Sequence, residues 1–193
     1  SLIDTSGVTA TLSGVLSGTG ALSKTGAGTL FLTGTNTYSG PTTVFAGSLV
    51  VSGSLGPGLT TVATGASIGG DGSLGGSLHF GSDANLLFDP THTLMVNGIL
   101  VSYDGFGVEN LLGLDSSVNL GTYTLIDGSA AFDFTNVSNF GVANAYALGG
   151  GKFAYFQAGS LELVVIPEPS TGALLGLAAL LALRRRKMTR AAF

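Results

Sequence analysis

Apolar residues alternate with Ser, Thr and Gly in short runs along the chain as far as position 165. Leu30 and Leu32 share one face of an extended backbone, as do Leu49 and Val51, Leu78 and Phe80, Leu94 and Val96, and Tyr123 and Leu125. Leu161, Leu163 and Val165 repeat the pattern, with Glu162 facing the other way. Strand side chains alternate sides with a period of two, so these runs predict half-buried β-strands. Gly, Asn or Asp closes most of them. No stretch before Thr171 keeps the 3.6-residue period of an amphipathic helix.

The strands carry a recurring opening. Gly-Ser-Leu stands at 47–49, 53–55, 72–74, 76–78 and 159–161, and Gly-Thr-Leu at 28–30. Leu30 and Leu49 are 19 residues apart, close to the circumference of one coil of a β-solenoid. A coil cannot bury its own inner face, and stacked neighbours do that for it. Room exists for roughly seven such coils between Val8 and Val165. An antiparallel sandwich also uses many short strands, but the unequal yet recurrent tripeptide spacing favours the solenoid. The expected fold is all-β: a right-handed parallel β-helix over residues 1–165, followed by a short C-terminal transmembrane helix. Residues 129–165 are expected to cap the stack, because Phe132, Phe134, Phe140, Phe153 and Phe156 cluster there and an open stack end needs covering. An aromatic sugar platform is the alternative for that cluster.

Beyond position 165 the chain changes character. Pro167, Glu168 and Pro169 form a Pro-Glu-Pro triplet within segment 166–170, and an uncharged Leu/Ala-rich run follows over 171–183. Arg184, Arg185, Arg186 and Lys187 open the basic tail, 184–193. An apolar rod ending in cations suits a membrane segment whose basic end stays on the cytoplasmic side. Thirteen helical residues reach about 20 Å against a hydrocarbon core of roughly 30 Å, so snorkelling arginine stems would have to extend the span. A buried core helix is the competing reading, and the four adjacent cations count against it. The two prolines hold the triplet extended and without amide donors, and Glu168 gives it its one side-chain charge.

Two family resemblances rest on these residues. The segment from Val165, VIPEPSTGALLGLAALLALRRRK, resembles the PEP-CTERM sorting signal of Gram-negative bacteria, with triplet, apolar run and basic end in order. That resemblance implies export, a transient inner-membrane anchor, recognition by an exosortase-type processing enzyme, and delivery to the envelope or extracellular matrix. Residues 22–53 resemble the autotransporter-associated β-strand repeat through Lys24-Thr25-Gly26, Gly28-Thr29-Leu30, Asn36-Thr37-Tyr38-Ser39-Gly40, Thr42-Thr43-Val44 and Gly47-Ser48-Leu49. It implies a parallel β-helix passenger at the cell surface. One clear copy is present, and no membrane β-barrel follows it in the sequence. The chain opens at Ser1 without a Met or a leader, and the expectation is that its true N-terminus lies upstream.

Charge narrows the partners. Residues 1–169 hold two lysines and all eleven carboxylates, a net charge of −9, and no arginine precedes Arg184. Such a body is poorly equipped for phosphates, nucleic acid or acidic polysaccharides. Zero cysteine excludes disulfides, thiol nucleophiles and Cys-based metal sites. Gly70-Asp71-Gly72-Ser73-Leu74-Gly75 satisfies G-x-G-x-x-G, yet a strand rather than a helix is predicted to follow, which argues against a dinucleotide site. His79 and His92 are the two imidazoles, His79 expected to point outward from a strand; no His pair has metal-ligand spacing. Asp83, Asp89, Asp104 and Asp115 are candidates for paired carboxylates, but cations and aromatics to line a cleavage groove are scarce. The expected function is that of an exported structural protein, not an enzyme, with no cofactor and no metal. A neutral-glycan-binding or adhesin-like module, with extracellular polysaccharide as partner, is the alternative; a polysaccharide-cleaving enzyme ranks below it.

Overall fold

In the computed structural model, which describes residues 1–157 and 159–168, the alternating runs wind into a β-solenoid. β1 (Leu2–Asp4) and β2 (Ala10–Leu12) begin the winding, and β3 (Leu22–Thr25) and β4 (Thr29–Leu32) lie on top of them. Turns of three strands follow: β5 (Thr42–Val44), β6 (Ser48–Val51) and β7 (Ser54–Leu55), then β8 (Thr60–Val62), β9 (Ser67–Gly69) and β10 (Ser73–Leu74). Next come β11 (Leu78–Phe80), β12 (Asn85–Leu87) and β13 (Leu94–Val96), then β14 (Leu100–Tyr103), β15 (Leu111–Leu112) and β16 (Gly121–Asp127). β17 (Ala131–Phe132) is the last parallel strand. β18 (Tyr146–Gly149), β19 (Lys152–Gln157) and β20 (Leu161–Pro167) then run antiparallel.

Three sheets result. Sheet one is ordered β1-β3-β5-β8-β11-β14-β17, sheet two β2-β4-β6-β9-β12-β15, and sheet three β7-β10-β13-β16-β20-β19-β18. The parallel ladders set identical positions over one another, so the core is a set of rows. Leu30, Leu49, Ile68, Leu86 and Leu111 form one inner row, and Leu30 pairs with Leu49 as the 19-residue offset requires. Winding amounts to about five turns, fewer than the roughly seven expected from an even period. The later turns are longer, with Leu86 pairing with Leu111, and after the parallel Phe106–Val137 bridge the remaining strands run antiparallel. A second difference lies in β16, where a bulge between Thr124 and Ile126 breaks the Tyr123/Leu125 alternation. Leu125 and Ile126 are both buried there, and Tyr123 packs its ring edge-on against Phe88.

The Gly-Ser-Leu tripeptide marks corners. A β-carbon on Gly53 or Gly72 would collide with the carbonyl oxygen of Gly34 or Gly53 in the turn below. Those same carbonyls accept Ser54 N (3.1 Å) and Ser73 N (3.0 Å). Glycine lets the turns approach, serine faces outward, and leucine starts the inner row. The tripeptide's unequal spacing follows from its use on different sheets: Leu49 on sheet two, Leu55 and Leu74 on sheet three, Leu78 on sheet one.

Polar side chains fasten neighbouring turns. Lys24 is fully buried at the end of the inner row Val44, Val62, Phe80 and Tyr103. Its ammonium donates to the carbonyls of Thr25 (2.9 Å), Gly26 (2.8 Å) and, one turn up, Ala46 (2.8 Å). Burial lowers its pKa, with Asp4 acting in the opposite sense. Asn36 accepts from Leu16 N (2.9 Å) below and donates to Ser54 O (2.8 Å) above. Replacing Lys24 by Met would take this donor from the Gly26 and Ala46 carbonyls, while Thr25 O keeps Thr5 N at 3.1 Å, and loss of about 3 kcal/mol is expected. Chemical denaturation of Lys24→Met checks this; an unchanged midpoint would show that the clamp carries no stability.

Candidate functional site

The C-terminal signal emerges from the sheet that closes the stack. β20 lies between β19 and β16 and pairs antiparallel with both. Its alternation buries Leu161, Leu163 and Val165 and leaves Glu162 partly exposed, accepting a hydrogen bond from Gln157. Phe156 of β19 is fully buried and meets Phe106 at 5.7 Å. Phe106 in turn meets Tyr103 at 5.0 Å, and Tyr103 stacks on Phe80 at 5.4 Å. An aromatic column thus joins the solenoid core to the closing sheet. Lys152, whose ammonium donates to Ser116 O (2.7 Å) and Val118 O (2.6 Å), ties β19 to the loop before β16.

β20 continues through Pro167, which pairs with Lys152, and Glu168 N still donates to Gly151 O at 2.7 Å. Backbone polarity alternates along a strand, so position 167 faces the β16 side, where pairing has ended with Gly121 opposite Val165. A proline there forfeits no ladder bond. Pro167 and Glu168 are both solvent-exposed. Pro169, the apolar run and the basic stop Arg184, Arg185, Arg186 and Lys187 lie outside the described residues. Among the described residues no helix is long and apolar enough to cross a membrane.

Residues 165–187 match the family model of the PEP-CTERM protein-sorting motif, and residues 22–51 that of the passenger-associated-transport-repeat. The chain carries both elements. No curated protein and no solved structure matches it. The PEP-CTERM motif implies an exported, cell-surface-sorted protein processed by an exosortase. Its match begins inside the closing sheet, at buried Val165. The transport repeat spans β3 to β6, two stacked passes through sheets one and two. Lys24 and Asn36 inside it are the residues that fasten one turn to the next, a role their spacing alone did not reveal.

The remaining candidates meet in small groups: His79 with Asp104, His92 with Asp89, and Asp83 with Asp104 along one groove. Gly70 to Gly75 forms the corner from β9 into β10, with Gly72 N bonded to Val51 O (2.8 Å), and strand rather than helix follows. His79 faces outward from β11, as its alternation predicts, and meets Ser102 Oγ at 3.0 Å and Asp104 Oδ2 at 3.2 Å. These are the residue types of a hydrolytic triad, but His79 and Ser102 are simply cross-strand neighbours. β14, which carries Ser102, is paired on both sides, so its amides serve the ladder and form no oxyanion pocket. Knowledge of the turn length would have exposed this neighbourhood, since it sets β11 beside β14.

Asp89 and Asp115 hold local turns. Thr91 donates its hydroxyl (2.6 Å) and amide (2.8 Å) to Asp89 Oδ1, and Ser117 N donates to Asp115 Oδ1 at 2.7 Å. Asp133 does the same with Thr135. The Thr91 bonds, with a further one from His92, hold the Asp89 carboxyl at about 2. Bonds from Ser117 and Thr135 likewise keep Asp115 and Asp133 below the usual carboxylate range. Asp83 and Asp104 share a shallow groove with Glu109. A carboxyl depressed in the folded state stabilises above its unfolded pKa and loses that effect as pH falls through the folded value. The contribution of these carboxylates should therefore hold steady down to about pH 5 and be lost between about pH 4 and 2, seen as a fall in the thermal midpoint. Joint replacement of Asp89, Asp115 and Asp133 by Asn should flatten that fall; an unaltered acid limb would assign it to other groups.

Proposed function

We propose that this chain is an exported structural protein of the cell envelope or extracellular matrix, without catalytic activity. A right-handed solenoid forms its body. Segment 171–183 anchors it transiently in the inner membrane, with Arg184, Arg185, Arg186 and Lys187 as the cytoplasmic stop. An exosortase-type enzyme then removes the anchor. The observation that carries this reading is the continuity of fold and signal: the sorting motif's first residues are the last residues of β20. Right-handed winding is supported by the strong preference of parallel β crossovers for that hand. The structural role is supported by a body built of stacked rows, with Asp4, Asp89, Asp115 and Asp133 holding surface turns.

Pairing on both sides of β20 withholds residues 161–165 from a protease, which needs an extended, unpaired substrate. This pairing supports a scissile bond after Glu168, with a mature body that keeps the whole closing sheet. Intact-mass measurement of the released protein should give a chain that ends at or after Glu168 and lacks Thr171 to Phe193. Released protein with the full tail would remove the processing step. A terminus before Glu168 would contradict the part given to β20.

A further inference from the structure

The outer face of sheet two carries a polar line, Thr29, Ser48, Ser67 and Asn85, beside an apolar one. Register places Phe31, Val50 and Gly69 side by side outside the inner row, and Leu87 beside Leu112 in the same line. Phe31, Val50, Leu87 and Phe88 floor a groove of about 360 Å³ whose rim carries Asp71 and His92. That size falls at the lower end of the roughly 300–1,000 Å³ typical of small-ligand sites.

The rim is pre-set. Asp89, itself fixed by Thr91, accepts from His92 Nδ1 at 2.7 Å and raises the imidazole pKa. The ring's other nitrogen, Nε2, then faces Asp71 Oδ2 at 3.9 Å. That is too long for a direct hydrogen bond and suits an interposed group. In the imidazolium form, which Asp89 favours, the group that fits must accept from Nε2–H and donate to a carboxylate, which a hydroxyl does. A pyranose offers both parts: a flat C–H face for an apolar floor and hydroxyls around its edge. Charge selects within the sugars. Asp71 and Asp89 repel an anionic glycan, Lys24 is buried in the core, and Lys152 is engaged with the carbonyls of Ser116 and Val118.

We infer that this groove binds neutral polysaccharide, seating a pyranose face on Phe31 and a hydroxyl between His92 and Asp71. The inference goes beyond the sorting reading and does not depend on it. The test is calorimetric titration of the full chain, in a non-glycosidic detergent, with maltohexaose, laminarihexaose and cellohexaose. Hexagalacturonate and hexaglucosamine serve as the anionic and cationic arms. At least one neutral hexasaccharide should bind, and Phe31→Ala and Asp71→Asn should each weaken it about tenfold or more. Thr43→Ala, on the outer side of sheet one, should leave it unchanged. No neutral binding, tighter binding of either charged sugar, or full affinity in both groove variants would overturn the assignment. Should Phe31→Ala fail to fold, Asp71→Asn decides, because its side chain is exposed. The mass of the released chain is independent of every one of these outcomes.

Discussion

A turn of parallel strand leaves its backbone edge unpaired until the next turn covers it, and every other feature of this protein answers that constraint. The rows of Leu30, Leu49, Ile68, Leu86 and Leu111 exist because each turn repeats the phase of the last. Corner glycines exist because stacked carbonyls leave no room for a β-carbon. Repetition alone supplies no ending, since an added turn always presents a new edge. The ending comes from reversal: β20 meets β16 antiparallel and β19 meets β20 in the same sense, while Phe156 caps the aromatic column.

Polar chemistry inside such a stack is costly unless every group finds a partner. Lys24 shows how that is met. Its three carbonyl acceptors come from two successive turns, so the ammonium is satisfied only when both are in place. Asn36 links the turn below it to the turn above. The matched repeat is therefore a local recipe for joining turns, and not merely a strand-forming pattern. Where it ends, the later turns add stacked rings to further cross-turn bonds, such as Asn136 Nδ2 to Tyr103 O at 3.1 Å.

Much of this was legible in the sequence. The alternation at Leu30/Leu32 and Leu49/Val51, with their offset of 19, located the inner row and its period directly. Outward His79 and buried Leu161, Leu163 and Val165 followed from the same parity. The number of turns was not legible, because loop length between Leu86 and Leu111 leaves the inner row intact while lengthening the turn. Nor was the bulge in β16, which exchanges one alternating position for two adjacent buried ones. Lys24 reads as a surface cation in any composition-based view; only the convergence of carbonyls from two turns explains its burial. The approach of His92 to Asp71 joins residues of different corners, which no local motif announces.

The sorting motif and the fold share residues, so the state of the closing sheet decides what a processing enzyme meets. With β20 paired, the closing sheet holds the chain as far as Glu168, three residues before the apolar run begins at Thr171. Native-state hydrogen exchange of the full-length protein tests this most directly. Amides of Leu161 to Val165 should be protected as strongly as those of β4 and β6, because all belong to one cooperative stack. Exchange of β20 at the rate of an unpaired chain, with β4 and β6 still protected, would contradict the account.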